Sequence, residues 1–186
     1  MTVSATLDSA FRNAAAAEEL LDVAYELHDS PLGTLLVAAT ERGVCRIGYD
    51  PDPEQELDCL SSTFGVRVLR SPRPVDLVRR QLDEYFDRRR HRFELALDLR
   101  LLADFNRRVL RELARVPYGE VVTYGELAAR AARPRAARAV GTVMNRNPIP
   151  IVLPCHRVIG ANGKLVGYGG GLQRKEALLQ LEGALL

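Results

Sequence analysis

The sequence predicts an α/β (α+β) protein in which a small sheet-and-helix domain precedes a helical domain with a helix-turn-helix. Short apolar runs between Pro and Gly turns fill the first half, and apolar residues at helical spacing fill the second. Charge also divides unevenly between the halves. We therefore expect a leader over residues 1–22, an α/β domain over 23–100 and a second domain over 101–186.

The first half is predicted to form a small antiparallel sheet with two helices. Turn residues at Asp29–Pro31 and Arg42-Gly43 separate runs rich in Val, Leu, Ile and Ala, which is typical of short strands. The predicted strands cover Val23–Leu27, Leu35–Ala39, Val44–Tyr49 and Val66–Leu69. The predicted helices cover Glu54–Thr63 and Val75–Arg88, where apolar residues recur at the spacing of an amphipathic helix.

The second half is predicted to be helical. Thr123 can cap a helix, because Glu126 three residues later completes the spacing of a capping box. Arg133-Pro134 should break that helix, and two short helices at a tight break outline a helix-turn-helix. The predicted helices cover Phe105–Val116, the residues from the Thr123 cap to about Ala131, Arg135–Asn145, and Leu172 to about Glu182.

The charge asymmetry indicates a polyanionic partner for the second half. Residues 1–100 carry 13 Arg against 18 Asp and Glu, a net charge of −5, whereas residues 101–186 carry 13 Lys and Arg against 6 Asp and Glu, a net charge of +7. A basic half that merely complements an acidic one is the alternative. No apolar run is long enough to cross a bilayer, and three cysteines are too few for a disulfide-stapled secreted protein. We therefore expect a cytoplasmic protein without membrane contact.

Pro154-Cys155-His156-Arg157 is the motif most suggestive of chemistry. A free thiol is mostly protonated at neutral pH, so a nucleophilic cysteine needs a base and a group that orients the base. His156 and Glu182 could fill these roles. For an isolated Cys-His pair, however, a buried structural thiol is the more common case.

The residues around this motif resemble the O6-alkylguanine-DNA alkyltransferase family, also called methylated-DNA–protein-cysteine methyltransferases. The resemblance covers about residues 103–183 almost without gaps. It extends more loosely to Ser30–Gly33. The ordered segments that carry it are Val116–Tyr124, Arg138–Gly141, Asn147-Pro148, Ile151–Ile159, Gly167–Leu172 and Lys175-Glu176.

The resemblance implies a ribonuclease H-like first domain and a role for each matching residue in the second. Cys155 would accept the alkyl group, activated through His156 with Glu182 behind it, and Asn147 would hold the turn that presents the cysteine. The base would be contacted by Tyr124, Met144, and the backbone at Val158 and Gly169. The DNA would be contacted by Tyr124, Arg133, Ala137, Arg138 and Ala139.

The implied activity is direct DNA repair. The alkyl group of O6-alkylguanine, and of O4-alkylthymine, would pass to Cys155 as a thioether, once per molecule and without a cofactor. Because the alkyl carbon is out of reach in a stacked duplex, the nucleotide must flip out. Arg138 would enter the minor groove of double-stranded DNA and fill the gap. The protein would act as a monomer, with cooperative alignment on DNA left open.

Several positions depart from the family pattern, and two other functions remain alternatives. The chain has no Trp, and Gly169 stands where some members have Ser. No Cys/His set matches the structural zinc site of some relatives, so we predict no metal. His28, Cys45 and Cys59 are interpreted as packing or surface residues. The alternatives are a DNA-binding regulator or lesion sensor without chemistry, and a cysteine hydrolase that uses Cys155, His156 and Glu182.

Overall fold

The computed structural model describes residues 20–184 together with Ala14. Most of the predicted leader therefore lies outside the described residues. The chain divides into two compact units. The first runs to Glu84 and includes Glu94–Asp98. The second contains Tyr85–Phe93 and continues from Leu99. Residues 85–93, which precede the boundary expected near residue 100, thus belong to the second unit.

The first unit is built on a four-stranded sheet. The strands are β1 (Val23–Ser30), β2 (Gly33–Thr40), β3 (Gly43–Tyr49) and β4 (Val68–Arg70), in the order β3-β2-β1-β4. The first three are antiparallel, which confirms the predicted strands, but β4 pairs parallel to β1. The strand predicted over Val66–Leu69 begins two residues later, since Val66 is 87% exposed and offers the sheet no buried side chain.

Helix α1 (Pro53–Phe64) lies against this sheet, and α2 (Asp76–Phe86) follows a short 3-10 turn at Arg73–Val75. Asp52 caps α1 by accepting hydrogen bonds from the amides of Glu54 and Gln55. Helix α2 ends before the predicted Arg88, because Arg88 takes a left-handed conformation with φ 58°. The core of the unit contains Val23, Leu36, Ala38, Cys45 and Leu60.

The second unit is helical, as predicted. Its elements are α3 (Asp104–Leu113), β5 (Val122–Thr123), α4 (Tyr124–Arg130), α5 (Ala137–Asn145), a 3-10 turn (Cys155–Arg157), β6 (Val158–Ile159) and α6 (Leu172–Leu181). Thr123 and Glu126 form the expected capping box. Strand β5 pairs parallel to β6, joining Val122 to Val158 and Thr123 to Ile159.

Helices α4 and α5 form the helix-turn-helix. Ala132 takes a left-handed φ of 58° between them, and α5 starts at Ala137 rather than at the predicted Arg135 because Pro134 and its neighbours belong to the turn. Glu182 is the first residue after α6, where it caps the helix rather than lying within it. Gly183 follows with a left-handed φ of 72°, which stops the helix there. No helix of residues 20–184 is both long and apolar enough to span a bilayer.

Candidate active site

Asn147 organises the turn between α5 and Cys155. Its Oδ1 accepts from the amide of Ile149 at 3.1 Å, and its Nδ2 donates to the carbonyl of Leu153 at 2.8 Å. The same Nδ2 lies 3.1 Å from Sγ of Cys155. Ile151 within this turn takes φ 72°, a strained conformation for a β-branched residue, and is fully buried. One buried amide therefore ties the turn to the sulfur, and the predicted neighbours Asn147 and Cys155 lie together.

The Cys155 thiol is buried, with 4% of the residue exposed. Burial raises its pKa to about 11, although the Asn147 amide, the positive charge of Lys175 and a hydrogen bond with Tyr168 oppose the rise. The resting sulfur is consequently a neutral thiol at physiological pH. A thiol in this state needs a base before it can act as a nucleophile.

His156 and Glu182 form a hydrogen-bonded pair, with 2.9 Å between Nε2 and Oε1 and both side chains fully buried. Burial lowers the pKa of His156, so the ring is neutral at pH 7. Because an ionised carboxylate can only accept, Nε2 carries the hydrogen and Nδ1 is left as an acceptor. Nδ1 is buried and has no hydrogen-bond partner among the described residues.

Glu182 accepts hydrogen bonds from several groups besides His156. Arg157 donates to Oε2 from Nε and to Oε1 from Nη2, each at 2.8 Å, the Tyr85 hydroxyl donates to Oε1 at 2.6 Å, and the amide of Gly119 lies 3.3 Å from Oε2. Burial opposes ionisation, but the hydrogen bonds from His156 and Arg157 outweigh it and lower the pKa of Glu182 to about 2. The carboxylate behind His156 is therefore charged and fixed in place.

Lys175 on α6 holds the backbone beside the cysteine. Its buried ammonium donates to the carbonyls of Val158 and Val166, and burial lowers its pKa to about 8. Sequence reasoning gave no role to Lys175, Tyr168 or Arg157, although all three lie in the motifs that carried the resemblance. Tyr85 was given no role either, because its place in the apolar pattern of the predicted helix indicates burial but no polar partner.

The residues predicted to contact the base occupy different environments. The hydroxyl of Tyr124 donates to the carbonyl of Val166 at 3.2 Å, and burial followed by the nearby Cys155 raises the pKa of this phenol. Met144 and Val158 are buried, and the Val158 carbonyl already accepts from Lys175. Gly169 is exposed, and a Cβ there would lie 3.0 Å from the carbonyl oxygen of Asn145. Their contacts with a base stay predictions.

The residues predicted to contact DNA lie on the helix-turn-helix. Arg138 and Ala139 near the start of α5 are exposed, and Ala137 is half-buried. Arg133 in the turn is exposed too, with its guanidinium 5.9 Å from the ring centre of Phe105. The first turn of α5 thus presents one long cation among small side chains. In residues 20–184, no three His, Cys, Asp or Glu residues are grouped to hold a metal ion.

Comparison with known proteins agrees with this geometry. The family described as "6-O-methylguanine DNA methyltransferase, DNA binding domain" matches residues 104–184, and "6-O-methylguanine DNA methyltransferase, ribonuclease-like domain" matches residues 23–99. A methylated-DNA–protein-cysteine methyltransferase of Mycolicibacterium paratuberculosis is 42% identical over 160 residues, covering 86% of this chain and 92% of the relative. One from Methanosarcina barkeri is 40% identical over 167 residues, covering 85% and 96%.

Solved structures give the same result. Mycobacterium tuberculosis OGT in complex with DNA superposes with a TM-score of 0.76 at 40% identity, covering 87% of this chain and 93% of that one. The O6-methylguanine methyltransferase of the same organism gives 0.74 at 39% identity, with the same coverage. The chain therefore belongs to the methylated-DNA–protein-cysteine methyltransferase family, whose activity is DNA repair by alkyl transfer.

Proposed function

We propose that Cys155 accepts the alkyl group of O6-alkylguanine, and also that of O4-alkylthymine, once per protein molecule. The observation that carries the proposal is the buried thiol of Cys155, held by Asn147 and followed directly by a neutral His156 on an ionised Glu182. This is the set of groups that a cysteine nucleophile needs: a thiol, a proton acceptor and a carboxylate that orients the acceptor.

In the reaction, the thiol proton leaves for Nδ1 of His156, directly or through one water. The imidazolium that forms is stabilised by Glu182, which already accepts from Nε2. The thiolate then attacks the alkyl carbon as the bond from that carbon to the base oxygen breaks. The oxygen keeps the bonding electrons, and the released guanine takes up one proton for the one lost by the thiol. Asn147 and Lys175 favour the thiolate while it exists.

Single use follows from the product. A thioether offers water no carbonyl to attack, unlike the thioester of a cysteine hydrolase. The sulfur is also buried, which keeps bulk water away from the product. We therefore expect one alkyl group per chain and no cofactor.

DNA would be approached as a duplex, through its minor groove, by a monomer. The exposed Arg138 suits the space left by the flipped nucleotide because its guanidinium is flat and charged. The small side chains of Ala137 and Ala139 beside it let the helix come close to a narrow groove. The hydroxyl of Tyr124, at the start of α4, donates to the Val166 carbonyl, which also accepts from Lys175, the residue that holds the backbone beside Cys155. This supports a role for Tyr124 at the flipped base.

The test is intact mass after mixing the protein with a duplex that contains O6-methylguanine or, in a parallel arm, O4-methylthymine. We expect a gain of one methylene, limited to one per chain and absent from Cys155→Ala. Cys59→Ala is the matched control, because Cys59 is exposed and on the first unit, and it should react like the wild type. Tight binding to the lesion without a mass gain would make the protein a lesion sensor. Repeated turnover on an ester or amide would make it a hydrolase.

A further inference from the structure

The Tyr85 hydroxyl is a buried polar group that the proposed reaction does not yet use. Tyr85 is fully buried in the second unit, and its Oη donates to Oε1 of Glu182 at 2.6 Å. That oxygen is the one that accepts from His156 Nε2 at 2.9 Å and from Arg157 Nη2 at 2.8 Å. A short hydroxyl–carboxylate bond in a buried site is a strong, charge-assisted interaction.

Three aromatic side chains hold the ring of Tyr85 in one orientation, with its hydroxyl pointing at Glu182. The ring packs against Phe86 and Phe93 with centroids 5.5 and 5.4 Å away, and edge-on against Tyr118 at 6.1 Å. If Tyr85 only filled space in the core, a Phe at this position would pack equally well. The hydroxyl instead costs desolvation, which its bond to Glu182 offsets. Its placement on the carboxylate behind His156 calls for an explanation in terms of that pair.

We propose that Tyr85 is a positioning residue for alkyl transfer, whose hydroxyl holds the Glu182 carboxylate in line with His156 and shares its negative charge. The proposal rests on the proposed function of Cys155. Tyr85 would act only through Glu182 and would touch neither the sulfur nor the DNA.

The titratable groups around His156 and Glu182 predict how Tyr85→Phe should change the pH dependence of alkyl transfer. Glu182 is faced by His156, Arg157, Tyr85 and Tyr118, and His156 by Glu182, Arg157 and Lys175. Without the Tyr85 donor, more of the negative charge on Oε1 is available to His156. The pKa of His156 then rises, and protonated histidine cannot accept the thiol proton. The acid limb of the pH–rate profile should move to higher pH.

The experiment is the single-turnover rate of alkyl transfer from pH 5 to 9 for wild type, Tyr85→Phe and Tyr118→Phe. Tyr118→Phe is the control, because it also removes one hydroxyl from a ring that faces Glu182, but that hydroxyl donates to the Leu181 carbonyl at 3.0 Å instead of to the carboxylate. We expect the acid limb of Tyr85→Phe to move up by about one pH unit, so that alkyl transfer on that limb is about tenfold slower than in the wild type, equivalent to about 1.4 kcal/mol. Tyr118→Phe should keep the wild-type limb.

A double-mutant cycle tests whether Tyr85 acts through Glu182. In a Glu182→Gln background, Tyr85→Phe should change the rate no further. If Tyr85→Phe does not fold, 3,5-difluorotyrosine at residue 85 keeps the ring and strengthens the donor, so the acid limb should move the opposite way. An unshifted limb in both variants, or a slower rate that persists in the Glu182→Gln background, would overturn the proposal.

Nitrogen NMR of the histidine side chains separates this proposal from the function itself. The chain has 3 histidines, so His156 can be assigned with one His156→Gln sample. In Tyr85→Phe without DNA, the titration of His156 should move to higher pH. A wild type that never alkylates would refute the function of Cys155, whereas an unchanged histidine titration would refute the role of Tyr85.

Discussion

Glu182→Gln keeps the size of the side chain but removes its charge, and it should destabilise the protein in a pH-dependent way. The pKa of Glu182 falls from 4.5 to about 2 in the folded state. At about 1.4 kcal/mol for each unit of pKa, the ionised carboxylate contributes about 3 kcal/mol to folding. This is the low end of the ~3–5 kcal/mol measured when one partner of a buried ion pair is removed.

The sign follows from the lowered pKa. A carboxyl group that is more acidic when folded stabilises the protein above its unfolded pKa near 4.5, and the contribution is lost as pH falls toward 2. Glu182→Gln should therefore cost about 3 kcal/mol at pH 7 and progressively less between pH 4.5 and pH 2. Near pH 2 about half of the wild-type Glu182 is protonated, and most of the difference in stability from the variant should be gone.

The assay is urea unfolding followed by circular dichroism at several pH values. Glu176→Gln is the matched control, since Glu176 lies on α6 as an exposed residue, and its removal should change the free energy of unfolding by less than about 0.5 kcal/mol. A cost for Glu182→Gln that is equal at pH 7 and pH 2.5 would refute the argument, because the loss would then come from shape or packing and not from charge.

Three further substitutions have expected outcomes. Gly43→Ala should lower the free energy of unfolding in urea by about 2 kcal/mol or more, because Gly43 has φ +130° and a Cβ would lie 2.2 Å from the carbonyl oxygen of Ala96; an unchanged midpoint would contradict this. Thr123→Ala removes the side chain that accepts from the Glu126 amide and should cost about 1 kcal/mol in the same assay; a stabilised variant would contradict it. Arg138→Ala should slow alkyl transfer from duplex DNA at least about tenfold, because the side chain is needed to flip the nucleotide out. Transfer from free O6-benzylguanine, which needs no flipping, should stay unchanged. Equal slowing on both substrates would place Arg138 in the chemical step.

Local signals in the sequence predicted much of the fold. The capping box at Thr123 and Glu126 depends on residues three apart, and the structure forms it as expected. Short apolar runs between turn residues likewise predicted β1 to β3. The sequence could not predict that β4 pairs parallel with β1, because that pairing joins residues far apart in the chain. Nor could the apolar spacing of α2 predict its end, which the left-handed Arg88 decides.

The sequence motifs named candidate site residues but not the contacts among them. Cys155, His156, Asn147 and Glu182 were named from the motif order, and the structure brings Asn147 to Cys155 and His156 to Glu182. Asn147 donates to the sulfur directly, a contact that the adjacency of Cys155 and His156 in the sequence did not indicate. The hydrogen bond from Tyr85 joins residues separated by 97 positions, and no periodicity reports such a distance.

The parallel pairing of β5 with β6 has a practical consequence for engineering the protein. The segment between Thr123 and Val158 contains α4, α5 and Cys155, and it starts and ends on this ladder, so the pairing fixes the positions of both its ends. Just beyond the ladder, Gly160 and Lys164 close an exposed turn with a 3.0 Å hydrogen bond, and Asn162 and Gly163 lie at its tip. A peptide tag or a fluorescent reporter is best inserted between these two residues, where the chain can lengthen without stretching the ladder.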